Sequence, residues 1–315
     1  MRLKIYTIAA SLILFGCGDN EREFPTPNEQ HALVPLQFEI ELEKNEMPFV
    51  ATKGMPTLNI PEPTAINNGE EESVEPSEGN LFDRIDYIVY KNGESNELVK
   101  RKQFKLGDPD FTIIYDSLPE GKYNICFLAH SDKGISITGQ TAQFSKVSDA
   151  FHLAMQQDIK AGERIVKDVN LKRIVSRIEF VSTDAVSEQM MEFSINVGNY
   201  QDKIDIISGL GISEGKSFSS SYIFKPSDVG KRGMSHSFMT FVPANSSKLT
   251  TSITAKDKLG AIRRNWNVND VTPIANKTIR YTGILYTPKV SDDTFTIDII
   301  NGGKWDAPVE NQLKE

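Results

Sequence analysis

Short runs of alternating apolar and polar residues recur along most of this chain, and the pattern predicts β-strands rather than helices. In the run Val34–Leu42, apolar side chains occupy one face of the predicted strand, while Gln37, Glu39 and Glu41 occupy the other. Comparable runs lie at 82–90, 111–115, 123–129, 169–181, 192–198, 202–207, 238–242, 248–255, 277–286 and 294–300. Residues 151–160 are expected to form a short helix or 3₁₀ turn. The short, closely spaced runs predict an all-β protein built from two tandem β-sandwich domains.

The predicted domains are an N-terminal sandwich at 34–165 and a C-terminal sandwich at 166–315, with the boundary placed between 158 and 172. The first domain contains an acidic, proline-rich insert at 54–80, and residues 54–83 include no Lys or Arg. Such a segment cannot bury enough apolar surface to offset its ordering entropy, so we expect an exposed loop. A calcium site is the alternative, but the carboxylate spacing matches no oxygen-ligand loop.

The first residues are typical of an export signal rather than of a folded domain. Arg2 and Lys4 are followed by an apolar run at 5–15 and then by Gly16 and Cys17. A run of this length is too short to span a bilayer as a helix, which takes about 20 residues. A basic start, a short apolar core and a small residue at the end indicate a secretory signal peptide.

The end of this segment resembles a lipobox, in which a small residue directly precedes a cysteine. The resemblance implies that residues 1–16 are removed, that the thiol of Cys17 is diacylated, and that residues 17–33 form a tether. An ordinary signal peptide cut elsewhere and a membrane-anchoring helix are the alternatives. Acidic residues just after the cysteine resemble the surface-export signal of Bacteroidetes lipoproteins, which implies an outer-membrane protein exposed at the cell surface.

Charge and cysteine content exclude some partners and pairings. The formal net charge is −8 and the isoelectric point is near 5.2. This argues against nucleic acid as a partner, because no cationic surplus exists to neutralise phosphates. With Cys17 lipidated, Cys126 has no partner for a disulfide, since the chain contains two cysteines. The apolar neighbours of Cys126 predict a buried, unreactive thiol.

The sequence contains no recognisable catalytic or metal-binding constellation. The four histidines are His31, His130, His152 and His236. They show no metal-ligand spacing, and no nucleophile elbow, zincin, phosphate-loop or CxxC motif occurs. Adjacent carboxylates at 70–72 and 292–293 are predicted to be charged surface. Trp266 and Trp305 offer rings that stack on sugars, but a tryptophan in a sandwich more often fills the core. We therefore expect no enzyme activity, no metal site and no cofactor.

Three motifs together resemble those of one protein family. In the turn motif at 118–123 (LPEGKY), Pro119 presets φ and Gly121 supplies backbone freedom. Residues 169–181 (VNLKRIVSRIEFV) link the predicted domains, and residues 273–286 precede the last predicted strand. In this order and spacing, the motifs are similar to those of Bacteroidetes fimbrillin-like proteins over most of the mature chain.

Within that family the chain most resembles the FimB/Mfa2 branch of lipid-anchored fimbrial subunits. The resemblance implies transthyretin-like sandwiches in an outer-membrane protein that anchors or initiates a fimbria used for adhesion, pairing strands with a shaft subunit. In shaft subunits, an arginine- or lysine-specific protease removes the N-terminal segment and exposes a groove for a neighbour's strand. No Arg lies between Arg22 and Arg84, which favours an anchor that keeps its first strand. Lys44 and Lys53 remain as sites at which a lysine-specific protease could cut.

Two alternatives and one question stay open at this point. The chain is a shaft or tip subunit if proteolysis removes its N-terminus. A glycan-binding surface lipoprotein would instead present Trp266 or Trp305 in an exposed aromatic platform. The sequence does not identify the edge strand that pairs with a neighbour, and the candidates are residues 294–300 and the tail after them.

Overall fold

The computed structural model describes residues 32–43, 81–212, 215–288, 294–301 and 309–311. Within these ranges the chain forms nineteen β-strands and one 3₁₀ turn at Pro226–Asp228. The strands up to residue 173 are β1 (Val34–Leu42), β2 (Arg84–Lys91), β3 (Glu97–Lys105), β4 (Ile113–Leu118), β5 (Gly121–His130), β6 (Ser136–Thr138), β7 (Thr141–Gln143), β8 (Ala150–Ile159) and β9 (Ile165–Arg173). The later strands are β10 (Val175–Ser182), β11 (Met190–Gly198), β12 (Lys203–Asp205), β13 (Ser217–Ile223), β14 (Ser235–Phe241), β15 (Leu249–Asp257), β16 (Ile262–Val271), β17 (Lys277–Gly283), β18 (Thr296–Asn301) and β19 (Val309–Asn311). The predicted all-β class is confirmed.

Helices contribute little to the described ranges. The 3₁₀ turn comprises three residues, and no helix in the described part of the chain is long and apolar enough to cross a membrane.

The segment predicted as a short helix or 3₁₀ turn, residues 151–160, is instead the strand β8. It pairs with β5 along its whole length. Phe151, Leu153 and Met155 alternate towards the core of the first sandwich, which is strand periodicity. The prediction was wrong because the alanine, methionine and glutamines of this segment favour helix locally, and pairing with a neighbouring strand overrides that preference.

The first sheet folds over on itself to make a sandwich. Its strand order is β3-β2-β5-β8-β9-β1-β4, and β8 and β9 pair only over residues 151–152 and 172–173. This short junction allows β9-β1-β4 to pack face to face against β3-β2-β5-β8. Phe38 on β1 consequently contacts Phe127 on β5, with ring centroids 5.2 Å apart.

The second half of the chain forms another sandwich from two sheets. Their strand orders are β14-β10-β17-β18-β19 and β13-β11-β15-β16. The ring of Phe193 on β11 stacks on His236 of β14 at a centroid distance of 4.1 Å. The ring centroids of Phe218 on β13 and Phe238 on β14 lie 5.8 Å apart. Both sheets thus contribute to one core, while the predicted domain limits, 34–165 and 166–315, stay predictions.

Two predicted turns lie where the sequence chemistry indicates. Between β4 and β5, Gly121 has a φ of +150°, a value that favours glycine. The Tyr123 hydroxyl donates to the Pro119 carbonyl across this turn at 3.1 Å. The hairpin predicted at Asn92 is also observed, since β2 pairs with β3. The connection, however, spans residues 92–96 rather than two residues.

Replacing Phe38 with alanine tests how firmly β1 is built into the first core. The ring is fully buried and contacts Tyr87 and Phe127. Its removal leaves a cavity, so we expect the free energy of unfolding to fall by about 3–5 kcal/mol. Glu39→Ala, on the opposite face of β1, is the control, with an expected change within about 0.5 kcal/mol. Urea unfolding followed by circular dichroism measures both, and equal effects would contradict this placement of β1.

His236 is held as a neutral ring inside the second sandwich. Its Nε2 lies 2.8 Å from the Tyr286 hydroxyl oxygen, Phe193 stacks on its face, and Tyr222 meets it edge-on. Burial lowers the pKa of His236 to about 3, and the Asp228 carboxylate opposes this only partly.

This histidine makes the stability depend on pH. In the unfolded chain His236 takes up a proton near its ordinary pKa of 6.5, whereas the folded protein takes it up only near a pKa of about 3. The unfolded state therefore binds more protons between these values, and the free energy of unfolding falls by up to about 1.4 kcal/mol per unit of decreasing pH. We expect His236→Gln to flatten this decline between about pH 6.5 and pH 4.5, above the range where most carboxylates titrate. Urea titrations at several pH values check this, and parallel curves for the two proteins would rule out a buried neutral ring.

Candidate functional site

The first strand is a candidate assembly element, because a chain that lost it would open its first sandwich. β1 lies inside the sheet, antiparallel to β4 on one side and parallel to β9 on the other. Four of its inward-facing side chains are at most 6% exposed, and they are Val34, Leu36, Phe38 and Ile40. Removal of β1 would uncover an apolar groove between β4 and β9 and leave both with unpaired backbone groups.

β3 and β4, the two ends of the first sheet, are joined by side chains. Lys100 on β3 forms an ion pair with Asp116 on β4, with Nζ and Oδ1 2.5 Å apart. The same Lys100 also donates to the Ser117 carbonyl at 3.4 Å. The Tyr87 hydroxyl donates to the second carboxylate oxygen of Asp116 at 2.9 Å. Burial, together with this carboxylate, raises the pKa of Tyr87. The outward edge of β4 is therefore partly covered.

A small three-stranded sheet ties the two halves of the chain together. Its order is β12-β7-β6, so that β7 of the first half pairs with β12 of the second. Close by, Nε2 of His152 on β8 lies 2.7 Å from the Ile206 carbonyl oxygen. Gly209, with a φ of +71°, packs against the same imidazole ring. We call this contact region, formed by β7, β12, His152 and Gly209, the joint.

Arg173 at the end of β9 adds a second link between the halves. Its side chain is buried, and its Nε lies 2.6 Å from Oδ1 of Asp149. Its Nη1 donates to Oδ1 of Asn276, just before β17, at 2.6 Å. Burial raises the pKa of Asp149, although the guanidinium opposes this. Removing one partner of such a buried pair leaves an uncompensated charge and costs about 3–5 kcal/mol.

β5 is buried on both of its faces. Ile125 and Phe127 face the core of the first sandwich. Cys126 and Leu128, which alternate with them, belong to the core that extends into the second half. One strand therefore lines two cores, and the two sandwiches pack against each other through it.

The solvent face of sheet β13-β11-β15-β16 carries an uncharged grid of hydroxyl and amide side chains. One row across the strands is Ser219, Asn196, Ser252 and Asn267. The next row is Ser221, Ser194, Thr254 and Asn265. The Ser219 hydroxyl donates to Oδ1 of Asn196 at 2.8 Å, and the first row lines a shallow groove of about 410 Å³. These two rows, called the polar face below, suit an uncharged, hydroxyl-rich ligand, because every side chain is neutral and hydrogen-bonding.

Trp266 does not form an exposed aromatic platform. Its half-buried ring lies 4.6 Å from the Phe295 ring, and its Nε1 donates to the Ile284 carbonyl at 3.2 Å. The Arg264 guanidinium lies 4.4 Å from the indole centroid. The ring is thus partly buried against the core of the second sandwich rather than enclosed in it, and Trp305 lies outside the described residues.

Several residues singled out in the sequence lie outside the described ranges. They are Cys17, Arg22, His31, Lys44, Lys53, the acidic insert at 54–80 and the carboxylates at 292–293. Cys126 is described, and its predicted burial is confirmed. Burial, with a smaller contribution from Asp205, raises the pKa of this thiol to about 12. No group of three His, Cys, Asp or Glu side chains among the described residues could hold a metal ion.

The predicted C-terminal strand at 294–300 is observed as β18, and it already has neighbours on both sides. β17 pairs with it along one edge. β19 pairs with Ile297, Asp298 and Ile299 along the other. A partner strand would therefore have to displace β19 to reach β18.

The sequence reasoning missed β13 and β16, the two edge strands of the polar face. They read SFSSSYI and IRRNWNVNDV, and asparagine is depleted in strands. A signal was present nonetheless. Phe218 and Tyr222 on β13, and Trp266 and Val268 on β16, lie at even spacing between polar residues, which is the alternation of a half-buried strand.

The family model described as fimbrillin-A associated anchor proteins Mfa1 and Mfa2 matches residues 74–313 of this chain. The chain belongs to the Mfa2 family. The match covers more than two thirds of the sequence and runs from just before β2 to beyond β19. The resemblance to fimbrillin-like proteins is confirmed. Among curated proteins, no match is found.

Three solved structures are similar to this Mfa2-family chain at low sequence identity. The fimbrial anchor protein Mfa2 from Porphyromonas gingivalis aligns with 89% of this chain and 100% of its own, at 13% identity and a TM-score of 0.49. A Bacteroides ovatus protein described as a candidate adhesin aligns over 82% and 88%, at 13% identity and a TM-score of 0.49. The tip fimbrial protein Mfa3 from Porphyromonas gingivalis, truncated at its C-terminus, aligns over 70% and 95%, at 9% identity and a TM-score of 0.43.

Gly209→Ala tests the joint. A Cβ at this position would lie 2.6 Å from Nδ1 of His152. Gly162→Ala is the matched control, with a φ of +79° and no atom within 4 Å of the added Cβ. The left-handed backbone alone costs an alanine about 1–2 kcal/mol. We expect that loss for Gly162→Ala and a further loss of about 1–3 kcal/mol for Gly209→Ala, from the crowding. Scanning calorimetry measures both variants, and equal losses would contradict the contact with His152.

Proposed function

We propose that this protein is a lipid-anchored fimbrial subunit of the outer membrane, which anchors or initiates a pilus used for adhesion by strand pairing with a shaft subunit. The observation that carries the proposal is the match of residues 74–313 to the Mfa2 family of anchor proteins. The all-β fold supports the proposed strand pairing, because a free sheet edge can bind an extended segment through main-chain hydrogen bonds.

Cys17 is the proposed lipid attachment site, and residues 18–33 connect it to β1. This linker spans at most about 55 Å when fully extended, so the first sandwich stays within that distance of the bilayer. Each buried methylene of the acyl chains contributes about 0.8 kcal/mol, and two chains give stable attachment where one does not.

An anchor of this kind keeps its first strand. The inward side of β1 is buried from Val34 to Ile40, and no Arg between Arg22 and Arg84 offers an arginine-specific protease a site that would release it. A cut after Lys44 or Lys53 would separate β1 from the rest of the chain. That outcome defines the shaft or tip alternative within the family.

The second candidate function is binding of neutral glycans, and the polar face is the observation that favours it. Its two rows of hydroxyl and amide groups lie beside a groove and contain no charged side chain. Sugar sites usually add an aromatic ring for stacking, however, and the half-buried Trp266 packs against Phe295 and the Ile284 carbonyl instead. The fimbrial role therefore ranks first.

Mass spectrometry of the N-terminus, on protein from outer membranes and from sheared pili, tests the fimbrial proposal. We expect the mature chain to begin at diacylated Cys17, to retain residues 34–42, and to occur in the membrane or at pilus bases. We expect Cys17→Ser to abolish lipidation and release the protein from the membrane. Cys126→Ser, which removes the other thiol, is the control and keeps the lipid.

Each contrary result has a definite meaning. An N-terminus after Lys44 or Lys53, on protein found along the filament, would make this chain a shaft subunit. Absence from pili would overturn the fimbrial role and bring the glycan-binding candidate forward.

A further inference from the structure

Most edge strands in the described part of this chain are protected against pairing with another strand. Edge strands expose unpaired N–H and C=O groups, and natural sheets protect them with charges, bulges, short length or covering groups. β3 is rich in lysine and arginine. β16 carries Arg263, Arg264 and Asp270 and two register shifts against β15. β6, β12 and β19 are three residues long.

Two further edges, β4 and β14, are covered by neighbouring groups. On β4 the Ser117 carbonyl accepts a hydrogen bond from a lysine of β3. On β14 the Met239 carbonyl accepts one from the Tyr200 hydroxyl at 3.0 Å. The backbone N–H of Phe241, also on β14, donates to the Gln201 carbonyl at 3.2 Å. The outward backbone of both strands is therefore partly occupied.

The sequence of β13 contains none of the features that protect an edge strand. Its seven residues include no charged residue and no proline, and it pairs with β11 without a register shift. The backbone N–H of Phe224 donates to the Met191 carbonyl, and this bond sets the alternation of the antiparallel ladder. The backbone groups of residues 218, 220 and 222 therefore point towards β11. Those of residues 217, 219, 221 and 223 point away from it.

The surroundings of β13 define the strand that would fit beside it. On the inner face, Phe218 and Tyr222 lie over Phe238 and His236 of β14. On the outer face, Ser219 belongs to the polar face. An added strand would thus alternate apolar side chains, which extend the core, with small neutral polar ones, which extend the polar face.

We propose that β13 is the docking edge for an extended segment of the shaft subunit, which pairs with it as a fifth strand of sheet β13-β11-β15-β16. This assignment rests on the proposed fimbrial function and identifies the edge that the function uses. The net charge of −8 makes two copies of this chain repel each other, which disfavours a second copy as the occupant. The tether enters at β1 in the first sandwich, so pairing at β13 in the second leaves the lipid end free.

Amide hydrogen exchange of the full-length protein, alone and with the major subunit of pili sheared from the same cells, tests the assignment. We expect the amides of Ser219 and Ser221 to exchange rapidly in the free protein and at least about tenfold more slowly in the complex. The amide of Ser220 points towards β11 and is the internal control, slow in both states. A complex that leaves Ser219 and Ser221 unprotected would overturn the assignment.

A proline substitution tests the same edge by affinity. Ser219→Pro removes an outward N–H that the added strand would use, and an edge strand tolerates proline at such a position. We expect the Kd for the shaft subunit to rise at least about tenfold with an unchanged melting temperature, since main-chain bonds supply the affinity. Ser117→Pro on β4 is the matched control, because its N–H also points away from the neighbouring strand, and its Kd stays unchanged. If Ser219→Pro unfolds, the exchange measurement on the wild type decides.

Failure of this assignment is distinguishable from failure of the proposed function. A wild-type protein that is absent from pili and does not bind the subunit would remove the fimbrial role. A wild type that binds the subunit, together with a Ser219→Pro variant that binds equally well, would overturn the β13 assignment alone. Concentration-dependent protection of Ser219 and Ser221 without added subunit would replace the shaft subunit with a second copy of this chain.

Discussion

The burial of β5 on both faces is the constraint on which the arrangement of the two sandwiches depends. Ile125 and Phe127 lie in one core, and Cys126 and Leu128 lie in the other. A slip of one residue would exchange both sets of side chains at once, so the register of β5 is fixed from two sides. The pairing of β7 with β12 and the buried Arg173 at the end of β9 add further contacts between the two halves.

Strands with a strongly apolar face could be recognised in the sequence, whereas strands without one could not. The run Val34–Leu42 was predicted with the limits that the structure has, because its inward residues are all large and apolar. β8 was assigned to a helix or turn, since Ala154, Met155 and Gln156 favour helices locally. β13 was missed because its core residues, Phe218 and Tyr222, are separated by serines. What places both strands is pairing with distant segments, which a local pattern does not encode.

The same distinction applies to the candidate surfaces. The proposed lipid site at Cys17 rests on neighbouring residues in the sequence and needs no fold. The polar face needs four strands in register, and Asn196 and Ser252 become neighbours only when β11 pairs with β15. The half-buried position of Trp266 also depends on contacts with Phe295 and Ile284, which belong to other parts of the chain. Local motifs thus identify processing signals, while recognition surfaces require the tertiary structure.

The position of β1 also determines how a pulling force enters the molecule. In the proposed anchor, a tether that ends at Val34 would pull on β1 along its own axis, while β4 and β9 hold it from both sides. Hydrogen bonds in a β-ladder lie roughly perpendicular to the strand, so this pull acts on them in shear. Bonds loaded in shear rupture together, whereas bonds peeled from one end rupture one at a time. A subunit tethered through this strand is therefore most resistant to extraction when the pull is parallel to β1.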